Sequence, residues 1–309
     1  MENRITIHPV KKWAVSLRVF SLPFVVLPYA LGVLIAAYVE GSTFNPVINI
    51  MAFIPVFLIF SAANLQSDII DYRKGIDVIA NDFSGGIVRK WISVRKAMNV
   101  VILLYLASLL SGIFLLFMIG TVMVPFLLSG FFLSLFYSAG DKFAFKYNVT
   151  GEWFIFGGFG ILIPLYGFAM NTGYVSLSPL IISLPSAFLI AAVKHANNWI
   201  AVLTPGNLEK GTTAYYMTSV ASRVYYYSMI GIPYLLTGMV ALGIFHQLNW
   251  VPGSIYITLF TLPLFILLLR KAMKRKRINP RNRIFGLDSI TALLYILFTS
   301  LCCLALIIG

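Results

Sequence analysis

The chain has 309 residues, 60% of them hydrophobic and 11% charged, with a net charge of +13 and a mean hydropathy of +0.90. A water-soluble domain carries about 25% charged residues, so the composition excludes an ordinary soluble enzyme. It points to one polytopic, all-α membrane bundle with residues 1–309 as a single domain.

The N-terminus is basic, with Lys11, Lys12 and Arg18 ahead of an apolar run. That run is too long for a signal-peptide core and reads as a retained first helix. A spanning helix needs about 20 mostly apolar residues. Nine segments meet that need, at about 19–39, 47–67, 98–118, 121–139, 153–171, 178–200, 224–245, 252–270 and 285–308.

The joins between them alternate. Arg4 to Arg18, Arg73 to Lys96, Lys142 with Lys146, Lys194 to Arg223, and Arg270 to Arg283 hold all 23 Lys and Arg. The intervening joins, such as "EGSTFNP" and "HQLNWVPG", hold none. Basic loops face the cytoplasm. The expectation is a multi-pass cell-membrane protein with its N-terminus cytoplasmic and its C-terminus outside. The excess charge is then a cytoplasmic rim against the lipid bilayer, and nucleic acid is not expected as a partner. "RKAMKRKR" (Arg270 to Arg277) reads as a topology signal with attraction to anionic lipid. Cys302 and Cys303 are adjacent in the last segment, unsuited to pairing or to a metal site, and are expected to face lipid.

Of the ten Asp and Glu, Asp68, Asp71, Asp77 and Asp82 fall within one short stretch, "NLQSDIIDYRKGID" and its sequel. Asn64, Asp68 and Asp71 are spaced i, i+4, i+7 and share one helix face. Gly75 lets the chain turn, so Asp77 can fold back. Carboxylates this close repel unless a cation compensates them. The oxygen set suits Mg²⁺, which is held by one or two carboxylates plus substrate phosphates and waters. Arg73, Lys74, Arg89 and Lys90 nearby suit a polyanion bound through that metal. The plain alternative is a solvated loop with local salt bridges.

"NLQSDIIDYRKGID" resembles the first Asp-rich motif of the UbiA-type intramembrane prenyltransferases, and most of all the branch that prenylates dihydroxynaphthoate for menaquinone. "WAVSLRVFSLPFVVLPYALG" (Trp13 to Gly32) is similar to that branch's opening helix, with Arg18, Pro23, Pro28 and Gly32 in register. "FYSAGDKFAFKYNVTGEWFIFGGFG" (Phe136 to Gly160) is similar to its fourth-to-fifth helix join, matching at Tyr137, Gly140, Tyr147, Gly151 and Glu152. The resemblance implies that Asn64, Asp68, Asp71 and Asp77 hold Mg²⁺ on a polyprenyl diphosphate, such as geranylgeranyl diphosphate. It implies that Lys142 contacts the diphosphate and that the site opens toward the cytoplasm. Arg18 would pair with the carboxylate of an aromatic acceptor or with the diphosphate; alternatively, it is a snorkelling topology residue.

The resemblance fails at the second Asp-rich motif. In "KHANNWIAVLTPGNLEKGTTAYY" Asn197, Asn198, Lys210 and Thr212 fit, but the places of the two aspartates hold Ala201 and Pro205. Three readings follow. Lys194, His195, Asn197, Asn198, Glu209 or Lys210 substitute for the missing acids. The chain does different chemistry on the same diphosphate, such as terpene cyclisation or transfer to a non-aromatic acceptor. Or it binds isoprenoid without turnover. For His195 the plain reading is a helix-end histidine bonded to a neighbour; for Glu209 and Lys210 it is a solvated loop pair. Tyr215, Tyr216, Tyr225, Tyr226 and Tyr227 read either as an interfacial aromatic belt or as rings that stabilise an allylic cation. A transporter would place ionisable groups in helix centres, and these segments hold almost none.

Overall fold

The computed structural model describes residues 8–76, 85–139, 144–204, 211–241, 251–273 and 284–309. Every regular element among them is helical. Short α1 (Pro9–Ser16) precedes α2 (Pro23–Glu40), α3 (Pro46–Arg73), α4 (Val94–Ile119) and α5 (Met123–Ser138). Then come α6 (Gly151–Thr172), α7 (Leu177–Val202), one-turn α8 (Thr213–Tyr216), α9 (Ser219–Ala241), α10 (Gly253–Ala272) and α11 (Leu287–Ile308).

Local chemistry starts these helices where the sequence allows. Pro46 opens α3, a position that needs no N–H donor, and the Asn45 side chain caps the N–H groups of Val47 and Ile48. Ser93 caps α4 through the Lys96 N–H. At the far end of α3, Gly75 takes φ +68, the turn expected there. Residues Phe156–Leu162 form a π-helical stretch inside α6, a rare distortion that recurs at functional sites.

Among the described residues seven helices are long and apolar enough to cross a bilayer: Val19–Glu40, α3, α4, α6, α7, α10 and α11. The other two expected spans are also helical but fall outside that set. α5 has only 16 residues, and three consecutive tyrosines, Tyr225 to Tyr227, dilute the apolar character of α9. Large apolar side chains such as Phe117, 84% exposed, and Phe260, 80% exposed, stud the outer surface, the pattern of helices that face lipid.

α3 packs on α4 and α5, and α2 packs on the second half of α6. α7 is central, touching α2, α6, α9 and α11. At the crossing of α2 and α6 a Cβ on Gly32 would lie 2.0 Å from the Pro164 carbonyl oxygen, and one on Gly167 would lie 2.5 Å from that of Tyr29. Only glycine lets the two backbones approach this closely, the usual device of membrane helix pairs. The expectation that Cys302 and Cys303 face lipid is corrected here. Both are buried, at 1% and 9% exposure, because α11 turns that face toward α7 and α10.

Candidate active site

A cavity of about 830 Å³ is walled by α3, α4, α5, α6 and α7, with the start of α2 and the first turns of α11. One end is apolar and aromatic, with Phe60, Phe126, Phe131, Phe159, Leu162 and Tyr166. Phe60 meets Phe159 edge-on at 5.9 Å, and Phe126 meets Tyr166 at 5.5 Å. The Tyr166 hydroxyl donates to the Ala52 carbonyl oxygen at 2.6 Å, so its polar tip is already satisfied. The π-helical stretch of α6 contributes Gly158, Phe159 and Leu162 to this wall. The other end is polar, with Arg18, Asn64, Asp71, Lys146, Lys194 and Asn197. From Pro55 to Asp71, both on the lining, α3 rises about 24 Å at 1.5 Å per residue.

The two carboxylates of α3 are each 2% exposed, and buried carboxylates persist only when paired. Asp68 accepts from the Arg18 guanidinium. Asp71 accepts from the Lys146 ammonium and from the Tyr147 hydroxyl. Lys146 also donates to Ser67 Oγ at 2.8 Å, one helical step from Asp68. The Lys74 ammonium sits 4.5 Å from the centre of the Tyr147 ring. Arg18 itself has left-handed backbone, φ 52 and ψ 46, a conformation that costs about 1–2 kcal/mol outside glycine. Its ion pair with Asp68 helps hold that turn.

A second buried network lies behind α7. Glu152 is fully buried and accepts from Asn198 Nδ2 at 3.0 Å and from the Thr213 hydroxyl at 2.8 Å. Its Oε1 lies 3.2 Å from His195 Nδ1, and His195 Nε2 lies 3.2 Å from the Ser222 carbonyl oxygen. This network locks the rotation of α7. Lys194, Asn197, Ala201 and Thr204 consequently line the cavity.

The model of the UbiA prenyltransferase family matches residues 25–298. The chain belongs to the UbiA prenyltransferase family. Curated relatives include "UbiA prenyltransferase domain-containing protein 1" from Xenopus tropicalis, 24% identical over 92% of this chain and 80% of that protein. The Danio rerio protein of the same name is 27% identical over 72% of this chain and 66% of that protein. Among solved structures, a UbiA homologue from Archaeoglobus fulgidus bound to DMAPP and Mg²⁺ superposes with a TM-score of 0.64 at 16% identity, over 94% of this chain and 99% of that one. A structure described under digeranylgeranylglyceryl phosphate synthase matches with a TM-score of 0.62 at 17% identity, over 97% and 98%. At these identities the structural likeness establishes the fold, and the family model establishes a prenyltransferase.

In this UbiA prenyltransferase the structure brings Arg18, Asn64, Asp71, Lys194 and Asn197 to one cavity. Asp68 is buried beside it through Arg18. Arg73 is exposed at the end of α3, and Arg89 lies over the Trp91 ring at 4.8 Å; neither lines the cavity. Asn198, expected on the diphosphate, is instead fully buried with its amide spent on Glu152. It is turned away because adjacent residues of a helix point about 100° apart. His195 takes its plain reading, bonded within the same network. Asp77, Lys142, Pro205, Glu209 and Lys210 lie outside the described residues. Sequence reasoning did not single out Lys146, Tyr147 or Asp288 as functional. For the first two the signal was present, since they share the quoted join with Lys142; for Asp288 there was none.

The donor set fits Mg²⁺. Mg²⁺ relies on one or two carboxylates plus phosphate oxygens; no group of three or more His, Cys, Asp or Glu that could hold a metal ion by itself occurs among the described residues. Asn64 lines the cavity with its Nδ2 buried and without a partner among the described residues; a cation would take its Oδ1. Asn64, Asp68 and Asp71 would hold the ion.

Proposed function

We propose that this enzyme transfers a polyprenyl group from its diphosphate to an aromatic acceptor of the dihydroxynaphthoate class, with Mg²⁺, in quinone biosynthesis. The observation that carries the reading is a single cavity whose polar end gathers carboxylate, amide and ammonium groups and whose other end is lined by aromatic rings. An allylic diphosphate has those two halves. The Archaeoglobus homologues bound to DMAPP or GPP with Mg²⁺ lend this support from the same fold.

Bound Mg²⁺ would supply a Lewis acid that neutralises diphosphate charge. The protein supplies the rest. Lys146 and Lys194 stand where charge develops on the departing diphosphate and stabilise it. As that happens, Lys146 and Arg18 exchange their carboxylate partners for phosphate oxygens or for the acceptor carboxylate. The allylic cation is sheltered by the apolar end, which excludes water, and by the faces of Phe159 and Tyr166. The aromatic carbon then attacks, and its proton passes to the released diphosphate, which restores the ring's aromaticity.

The polar mouth is built from the C-terminal ends of α3 and α7 and the N-terminal ends of α6 and α11. These are the ends beside the basic joins. That is the arrangement expected of nine spans with the N-terminus and the site on the cytoplasmic side of the cell membrane.

The test is product mass spectrometry with the purified chain in lipid, geranylgeranyl diphosphate and Mg²⁺, with and without dihydroxynaphthoate. A prenylated naphthoate formed only with the acceptor, and absent from Asp71→Asn, is expected. A hydrocarbon or alcohol formed without acceptor would replace transfer by cyclisation.

A further inference from the structure

Among the described residues, one acid at the polar end has no cation partner. Asp68 is held by Arg18 and Asp71 by Lys146. Asp288, in the first turn of α11, lines the same cavity. Among the described residues no lysine, arginine or histidine lies within ion-pair distance of it. Its Oδ1 accepts from the Ser289 N–H at 2.8 Å and from the Ser289 hydroxyl at 3.5 Å, and its Oδ2 from Asn197 Nδ2 at 3.4 Å.

An acid in the first turn of a helix is favoured by the helix dipole alone. That role needs neither a cavity nor a second helix, and Asp288 engages both. Asn197 and Ala201 are one turn apart on α7 and both line the cavity. A carboxylate at 201 would therefore stand beside the Asn197 amide. Asp288 reaches that same amide from α11, 91 residues away in sequence. On the same stretch of α7, His195 Nδ1 and Asn198 Nδ2 are taken by Glu152. With Asn197 Nδ2 spent on Asp288, the oxygen of that amide is the atom left for a cation. A carboxylate oxygen and an amide oxygen together are ligands that suit a hard divalent ion.

We propose that Asp288, oriented by Asn197, is a second cation-holding wall of the site and stands in for the carboxylate absent at Ala201. This rests on the metal–diphosphate reading above. α3 supplies one acidic wall, and α11 and α7 together supply the other. The two come from helices that pack elsewhere, α3 on α4 and α5, and α11 on α7, α10 and α2, so the ligand and its cation fill the space between them.

The test uses Mn²⁺, seen by electron paramagnetic resonance, with inorganic pyrophosphate and the full chain in lipid nanodiscs. Asp288→Asn is nearly isosteric and keeps an oxygen for the Ser289 N–H. Its Kd for Mn²⁺ in the presence of pyrophosphate is expected to rise about tenfold or more. Ala201→Asp added to Asp288→Asn is expected to restore the Kd to within about threefold of the parent. A thermal-unfolding midpoint close to the parent's verifies that both variants are folded. An unchanged Mn²⁺ Kd in Asp288→Asn overturns the assignment while leaving the diphosphate site standing. A weakened Kd with no rescue by Ala201→Asp overturns the equivalence of the two positions. A parent chain that takes up no Mn²⁺ with pyrophosphate overturns this proposal and the reading beneath it together.

Discussion

Replacing Glu152 tests whether the network behind α7 sets the geometry of the site. Its carboxylate is fully buried and meets three side chains, Asn198, His195 and Thr213. The Ser222 carbonyl oxygen can only accept, so His195 Nε2 donates to it, and one proton lies on the line between Nδ1 and Glu152 Oε1. In Glu152→Ala the Thr213 hydroxyl keeps a partner, because the Val149 carbonyl oxygen is 2.9 Å away. Asn198 Nδ2 and His195 Nδ1 lose theirs. Each buried group left unmet costs about 1–3 kcal/mol, so the variant is expected to lose about 2–6 kcal/mol. Glu152→Gln keeps an oxygen for Asn198 but cannot satisfy every partner with one acceptor, and is expected to lose about 1–3 kcal/mol. Unfolding in mixed micelles with rising SDS, followed by tryptophan fluorescence, measures both. Trp199, 1% exposed and with its ring 6.4 Å from that of His195, is a reporter inside the network. A Glu152→Ala variant within about 1 kcal/mol of the parent would refute the reasoning, since it would mean that water satisfies these groups and the network does not lock α7.

Two further substitutions probe the site and the packing around it. Lys146→Met removes the cation from buried Asp71 and one of the two ammonium groups proposed to meet the leaving group. It is expected to lower turnover by about 100-fold or more in the product assay, and turnover within a few-fold of the parent would remove Lys146 from the chemistry. Gly32→Ala drives a methyl group against the Pro164 carbonyl oxygen and is expected to lower stability by about 1–3 kcal/mol. Gly130→Ala is the control. Its added carbon finds nothing nearer than Ile59 Cδ1 at 3.9 Å, so its unfolding curve should overlay the parent's.

How far the sequence reveals the site depends on how local each feature is. The face that carries Asn64 and Asp71 follows from spacing within one helix, and both residues do line the cavity. The departure at Ala201 is equally local, and Ala201 lines the cavity too. The adjacent pair Asn197 and Asn198 shows where spacing stops helping. Neighbours on a helix point about 100° apart, and which of these two lines the cavity depends on Glu152, far off in sequence. Asp288 carried no signal at all, because a first-turn acid is ordinary helix chemistry until another helix brings an amide to it.

By itself the sequence determined that this chain is a helical membrane bundle with an acidic α3 face beside a basic rim. Apolar runs of helix length have no other stable destination than the bilayer, and the charges mark their ends. Tertiary packing alone settled which cations hold which acids, Arg18 on Asp68 and Lys146 on Asp71, and which acid is left without one among the described residues. Those two pairings span 50 and 75 residues. They are set by how the helices pack around one cavity, with the glycines letting α2 and α6 approach closely and Glu152 holding α7.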